Sequence, residues 1–319
     1  MKLIGNREVV DKFRRDFENT RLPHAFMIEG ERGSGRLVLA RTLSTIVEER
    51  ESGEGYLKIM SGDFPDVFEF IPESANKQIG IDVVREIIKS AHVVPSQSPK
   101  TIFIVENADM MTPAAQNALL QIFEEPPKTA MFFLLCSDRN LFLKTLLSRA
   151  CVINTERLTD GEVERLLTER FPDKKDIIPR AVHMAQGIAG RGVELLTSDA
   201  SSKMLSVATS YTAMAGTGAS YSELSKLVNI FHPMTREELF SFTSYLCLAL
   251  SDAALVLLKG VGNVFFEDEK DAENLAHVMG IKRIVKAFDT CQTVMKKSTV
   301  MSVTMCLAEI NTFFAADFN

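Results

Sequence analysis

An apolar run, Ala25-Phe26-Met27-Ile28, passes through Glu29 into Gly30-Glu31-Arg32-Gly33-Ser34-Gly35-Arg36-Leu37, and from there into a helical apolar pattern from Leu37 to Val47. Strand, glycine loop and helix in that order form the layout of a phosphate-binding P-loop, which commits the chain to a sheet whose strand ends feed helix N-termini. In a working loop the glycines let backbone N–H groups wrap the phosphates, a Lys neutralises their charge, and a Ser or Thr hydroxyl ligates magnesium. Here Gly30, Gly33 and Gly35 keep the backbone latitude, but Arg36 and Leu37 stand where the Lys and the hydroxyl belong. Arg36 retains the positive charge on a wider planar fork, so weakened phosphate binding is expected. Leu37 offers magnesium nothing. The same residues also read as a glycine turn joining strand to helix with no ligand, so other segments must decide.

Up to about residue 155, short apolar runs alternate with helical patterns, which predicts a mostly parallel sheet built from βα units. The expected strands are Ala25 to Ile28, Val67 to Ile71, Thr101 to Val105, Met131 to Cys136 and Cys151 to Ile153, with helices over Leu37 to Val47, Ile81 to Val93 and Ala114 to Phe123. Pro113 opens the last of these helices and Pro126-Pro127 stops it. After Leu158 only helical patterns remain, beginning with a capping-box arrangement of Thr159 and Glu162. Small-residue breaks at Thr197 to Ser202, Gly216 to Ser220, His232-Pro233 and Gly260 to Gly262 divide this part. The expected domains are a nucleotide-binding fold over 1–157, a small helical unit over 158–200 and a larger helical bundle over 201–319.

A second chemical candidate lies at the end of Thr101-Ile102-Phe103-Ile104-Val105, where Glu106, Asn107 and Asp109 emerge at the ligand edge of such a sheet. ATPases of this kind use an Asp there to order magnesium and a following Glu to polarise the attacking water. Glu106 can imitate the first with a longer arm. Asn107 has no basic carboxylate for the second, and it reads equally well, with Asp109, as a cap on the next helix. The Lys, the magnesium hydroxyl and the water-activating Glu are thus all replaced, and intrinsic ATP hydrolysis is not expected.

Several segments in order carry a family likeness: Arg21-Leu22-Pro23-His24-Ala25-Phe26; Gly62-Asp63-Phe64-Pro65-Asp66-Val67; Ile79-Gly80-Ile81-Asp82-Val83-Val84-Arg85-Glu86; and, most specific, Asn117-Ala118-Leu119-Leu120-Gln121-Ile122-Phe123-Glu124-Glu125-Pro126-Pro127. Together with Leu147-Ser148-Arg149-Ala150-Cys151 they resemble the clamp-loader subunits of bacterial DNA polymerase III, relatives of the AAA+ proteins, and among them the delta-prime type. The likeness is close over residues 1 to about 200 and rests on all-helical character beyond. It implies an α/β AAA+ P-loop domain, an all-α lid domain and an all-α collar through which subunits assemble. Arg149 matches the arginine finger of the family's Ser-Arg-Cys motif, which reaches ATP on the adjacent subunit. Ala150 displaces Cys151 by one position, which bears on the local backbone. On spacing alone Arg149 is also a helix C-terminal cation favoured by the macrodipole. Gln186-Gly187-Ile188-Ala189-Gly190-Arg191 resembles the sensor 2 segment, whose Arg approaches nucleotide. With a degenerate loop, Arg191 is equally a structural residue. The implied partners are the gamma/tau motor subunits and the delta subunit, with the sliding clamp and primed DNA met through the complex. ATP and magnesium would be used by those partners, with no cofactor required by this chain. Family members commonly carry a four-cysteine zinc module before the second strand, but Ile46 to Phe64 contains no Cys or His, so no metal is expected.

Composition narrows the remaining classes. With 319 residues, 46% of them hydrophobic, there is material for two or three domains. A net charge of -6 and the lack of a basic stripe interleaved with aromatics argue against a nucleic-acid-binding module acting by charge. Five scattered cysteines fit a reducing compartment. The opening MKLIGNREVVDKF turns amphipathic within a few residues and no uninterrupted apolar run is long enough to span a bilayer, so a cytoplasmic protein with no membrane partner is expected. The competing enzyme reading is an active AAA+ ATPase with unusual motifs. The bias to 21 Phe and 14 Met has no functional reading beyond core filling.

Overall fold

The computed structural model describes residues 3–19, 21–72, 77–230, 234–259, 265–266, 268–297 and 301–315. They fold as two compact units, residues 1–166 with 186–190, and residues 167–185 with 191–319. Along the first run lie α1 (Arg7–Glu18), β1 (Ala25–Glu29), α2 (Arg36–Val47), α3 (Gly53–Ser61), β2 (Val67–Phe70), α4 (Ile81–Ala91), β3 (Thr101–Val105), α5 (Pro113–Glu124), β4 (Ala130–Cys136), α6 (Lys144–Leu147) and β5 (Cys151–Asn154). The five strands form one sheet in the order β2-β3-β4-β1-β5, and every pairing is parallel. This is the expected α/β architecture, with strand bounds within a residue of those read from the apolar runs.

The strands were legible because the central ones are buried on both faces. All five residues of β3 and all seven of β4 are buried, and such strands appear as unbroken apolar runs. Alternate residues feed two cores. Ala25, Met27, Phe103, Val105, Phe132 and Leu134 face α4 and α5. On the other side Phe26, Ile28, Ile102, Ile104, Phe133 and Leu135 meet Phe13 of α1 and Leu39 and Leu43 of α2. Some of the phenylalanine surplus is spent across the sheet: Phe68 stacks on Phe103 at 5.5 Å, Phe103 on Phe132 at 5.3 Å, and Phe26 on Phe133 at 5.4 Å between centroids. Offset stacking of this kind adds to area burial.

Between α2 and β2, the segment without Cys or His is closed by α3, whose Ile59 and Met60 are buried. Arg41 ties it down: Nε and Nη2 donate to the two Glu69 carboxylate oxygens at 2.7 Å each, and Nη1 donates to Met60 O at 2.8 Å. A bidentate guanidinium–carboxylate pair is among the stronger polar contacts, and here the bond to Glu69 holds Arg41 above its ordinary pKa.

The helices that follow are α7 (Asp160–Arg170), α8 (Ile178–Ala185), α9 (Ala189–Thr197), α10 (Asp199–Gly216), α11 (Tyr221–Asn229), α12 (Arg236–Lys259), α13 (Glu269–Lys297) and α14 (Val303–Phe314). The capping box forms as read, with Thr159 N donating to Glu162 Oε2 at 3.0 Å and Glu162 N to Thr159 Oγ1 at 3.3 Å. The break expected over Thr197 to Ser202 contracts to one residue. Ser198 caps α10 by accepting from Ser201 N, so Asp199 to Ser202 are already helical. The breaks at His232-Pro233 and Gly260 to Gly262 lie outside the described residues. A left-handed Gly280, φ 64°, interrupts α13.

Within the second unit α10, α12 and α13 pack on one another and α14 packs on α13 and α11. Tyr211 of α10 sits edge-on to Phe242 and Phe314, and its hydroxyl donates to buried Asn311 Oδ1 at 2.7 Å. By length and composition α12 could cross a membrane, a property that counting uninterrupted apolar runs does not register. Its Phe242, Leu246 and Leu250 are instead buried in this unit, and buried Asp252 accepts from Phe265 N at 2.7 Å and Phe266 N at 3.2 Å.

Candidate functional site

Because the strands are parallel, the residues after β1, β3, β4 and β5 gather at one edge of the sheet. These are Gly30 to Gly35, Glu106 with Asn107, Ser137 and Thr155. The glycine loop has the P-loop course: Gly33 and Gly35 both take φ 88°, and Gly35 stands at the N-cap of α2. That left-handed geometry is what the glycines supply.

The loop is satisfied from within its own unit. Thr155 Oγ1 donates to Ser34 Oγ at 2.9 Å, and Gly190 N donates to Gly33 O at 2.9 Å. The approach at Gly190 is so close that an added Cβ would lie 2.4 Å from Gly33 Cα. Glu31 pairs with Arg157, and Leu158 N donates to Gly187 O at 2.9 Å, fixing residues 186–190 beside the loop. Gly190 therefore lies on the crest of the glycine loop.

Arg36 does not reach into solvent. Its residue is 5% exposed, Nη1 donates to Ser137 Oγ at 2.9 Å, and Nη2 makes a longer bond to Asn107 Oδ1 at 3.4 Å. Burial pulls its pKa down, while the charges of Asp109 and Glu106 oppose that pull. Asp109 Oδ2 in turn accepts from Ser137 N at 2.9 Å. Asn107, at φ 51°, occupies the N-cap position of a single 3-10 turn over Ala108–Met110, but its side chain makes no capping bond. The capping oxygen for α5 comes from Thr112, which accepts from Ala115 N at 3.2 Å. Asn107 and Asp109 are thus committed to Arg36 and Ser137. Leu37 brings no oxygen to the loop, and among the described residues no three His, Cys, Asp or Glu side chains converge as a metal site. At this edge the guanidinium of Arg36 is spent on internal acceptors, and position 37 brings no side-chain hydroxyl.

Arg149 sits at the other edge. It follows α6 and precedes β5, whose Cys151 pairs with Phe26 and whose Asn154 pairs with Glu29. The glycine loop leaves from the Glu29 end, so a strand of four residues, about 13 Å, separates the two. Arg149 Nη1 donates to Thr145 O at 2.9 Å and Nη2 pairs with Glu124 Oε1 at 3.0 Å. The displaced register is absorbed locally, since Ala150 packs on the core below the sheet and Cys151 begins the strand. Arg191 belongs to the second unit, exposed on α9.

Sequence reasoning missed Ser137, Thr155, Gly190 and Glu124 as members of these sites. Ser137 had a signal, its place directly after a buried strand at the ligand edge. For Gly190 against Gly33, 157 positions apart, no local pattern exists.

Residues 5–159 match the family model described as DNA polymerase III, delta subunit. The delta' subunit of DNA polymerase III from Bacillus subtilis is 31% identical over 197 residues, 59% of this chain and 54% of that protein. The gamma/tau subunit from Mycoplasma pneumoniae is 27% identical over 187 residues, 55% of this chain and 27% of that protein. The chain therefore spans about a quarter to a half of the length of these relatives. Among solved structures, a DNA polymerase III gamma subunit-related protein from Thermotoga maritima superposes with a TM-score of 0.53 at 18% identity, over 97% of this chain and 99% of the other, a likeness of fold.

Proposed function

We propose that this chain, whose residues 5–159 match the family model described as DNA polymerase III, delta subunit, is a clamp-loader subunit of delta-prime type that hydrolyses no ATP and lends Arg149 to a neighbour. The observation that carries the reading is the contrast between the two edges of the sheet. At the loop edge Arg36 is buried against Ser137 and Asn107, with Leu37 beside it. At the opposite edge Arg149 remains half-exposed. Because the sheet separates Arg149 from its own loop, a nucleotide that it serves belongs to another subunit. A guanidinium aimed at a transferring phosphate stabilises the charge that develops there, and fingers of this kind are worth ~10³ to 10⁵ in rate.

In this reading the motor subunits of gamma/tau type bind ATP and magnesium, a delta subunit completes the ring, and sliding clamp and primed DNA are met through the assembly in the cytoplasm. The collar over 201–319 serves assembly, the small lid over 158–200 precedes it, and Arg191 is structural. A second reading has support of its own. Gamma/tau relatives match nearly as well as the delta' relative, so an ATPase with unusual motifs is the alternative, and magnesium-dependent ATP turnover by the isolated chain would establish it.

The test is the primed-DNA-stimulated ATPase of the chain mixed with motor subunits, delta and clamp. Wild type should activate the mixture while staying silent alone, and Arg149→Ala should assemble normally yet cut turnover by about tenfold or more. Equal turnover would make Arg149 structural and leave at most a scaffold role.

A further inference from the structure

Glu124 is an acid at a position where helix electrostatics disfavour one. It closes α5, where the aligned carbonyls present the negative end of the helix dipole and disfavour a carboxylate. Glu125 follows it directly. The ion pair that Glu124 makes with Arg149 is open to water, with side chains 49% and 36% exposed, and pairs of that kind contribute little to stability. Folding therefore gains little from this carboxylate.

Its effect on Arg149 is geometric. Glu124 Oε1 and Thr145 O hold two guanidinium nitrogens at 3.0 and 2.9 Å from two different elements. A guanidinium has five N–H donors in a rigid plane. Two are used, and the remaining three stay in the fixed plane of a side chain that would otherwise sample many rotamers. Ordering such a side chain costs free energy at the moment of use unless it is ordered beforehand.

We propose that Glu124 is a positioning residue for Arg149, holding the guanidinium in the orientation from which it engages a phosphate on a neighbouring subunit. The proposal rests on the trans-acting reading of Arg149 and adds the residue that orients it. Glu124 touches no reacting atom.

The reconstituted ATPase assay, with Glu124→Ala, Glu124→Gln, Arg149→Ala and the Glu124→Ala/Arg149→Ala double variant, separates the two ideas. Glu124→Ala should lower kcat about fivefold, the value of one unordered long side chain, with the KM for ATP unchanged. Glu124→Gln, which keeps a carbonyl oxygen as acceptor, should recover most of the loss. The double variant should match Arg149→Ala. In the isolated chain, the ¹⁵N side-chain resonances of Arg149 should shift and sharpen toward those of a freely rotating arginine in Glu124→Ala and remain near wild type in Glu124→Gln. If Arg149→Ala is harmless, the finger reading falls and this proposal falls with it. If Arg149→Ala is damaging while Glu124→Ala matches wild type in kcat, the finger stands and the positioning role is refuted. A Glu124→Ala chain faster than wild type would refute it too, showing that the carboxylate sequesters the finger.

Discussion

Replacing Glu48 by Gln should stabilise the first unit at neutral and alkaline pH and leave it nearly unchanged in acid. Glu48 stands at the C-cap of α2 and is 2% exposed. Burial pushes its carboxyl up to about 7 from an ordinary 4.5; the Asp66 charge adds to that rise, while the Ser98 hydroxyl and Arg50 oppose it. Asp66 itself stays ionised: burial pushes it up, but the backbone N–H groups of Ser96 and Gln97, at 2.7 Å each, outweigh that and hold it low. Below pH 4.5 Glu48 is protonated whether the chain is folded or not, and costs nothing by this route. Between 4.5 and about 7 the unfolded chain releases the proton and the folded one keeps it, so stability falls as pH rises. Above about 7 the loss is complete. The gap, at about 1.4 kcal/mol for each pH unit, puts it at about 3 kcal/mol. Urea unfolding from pH 4.5 to 8, followed by circular dichroism because the chain has no Trp, measures it. Alkylation of Cys136, buried in β4, marks the opening of the first unit. The advantage of Glu48→Gln over wild type should grow across this range by about 2 to 3 kcal/mol. An advantage independent of pH would mean that Glu48 is ionised and hydrated in the folded chain, and the reasoning would fail.

Two further expectations concern packing. Gly190→Ala would place a methyl 2.4 Å from Gly33 Cα and 2.8 Å from Gly33 O; both are backbone atoms, so the clasp on the glycine loop should open at a cost of about 2 kcal/mol, read as faster exchange of the position-190 amide and a lower urea midpoint. Tyr211→Phe would leave Asn311 Oδ1 buried without its donor, destabilising the helical unit by about 1 to 3 kcal/mol; thermal unfolding unchanged within a degree would show that water replaces the hydroxyl.

What the sequence determined by itself was whatever is decided within a few neighbouring residues. The run Thr101 to Val105 became β3 because a parallel strand buried on both faces needs an unbroken apolar stretch. The glycines marked the left-handed turns before α2, and Thr159 with Glu162 marked a helix start, since backbone geometry and caps are local requirements. Side-chain identity was legible in the same way: in any fold Leu37 lacks a side-chain oxygen and Asn107 lacks a carboxylate. The tertiary structure alone decided where the remaining charges go. Arg36 could have faced a phosphate, and it is the approach of Ser137, 101 positions away, that commits it inward. The contact of Gly190 with Gly33, the placing of Arg149 at the sheet edge away from its own loop, and the Glu124 carboxylate beside it all depend on strand order. So does the choice of partner for Tyr211, since an amphipathic pattern states that a helix has a buried face and not which helix covers it. Strand order and helix pairing are set by the summed burial of the whole chain, a quantity that no short stretch of sequence contains.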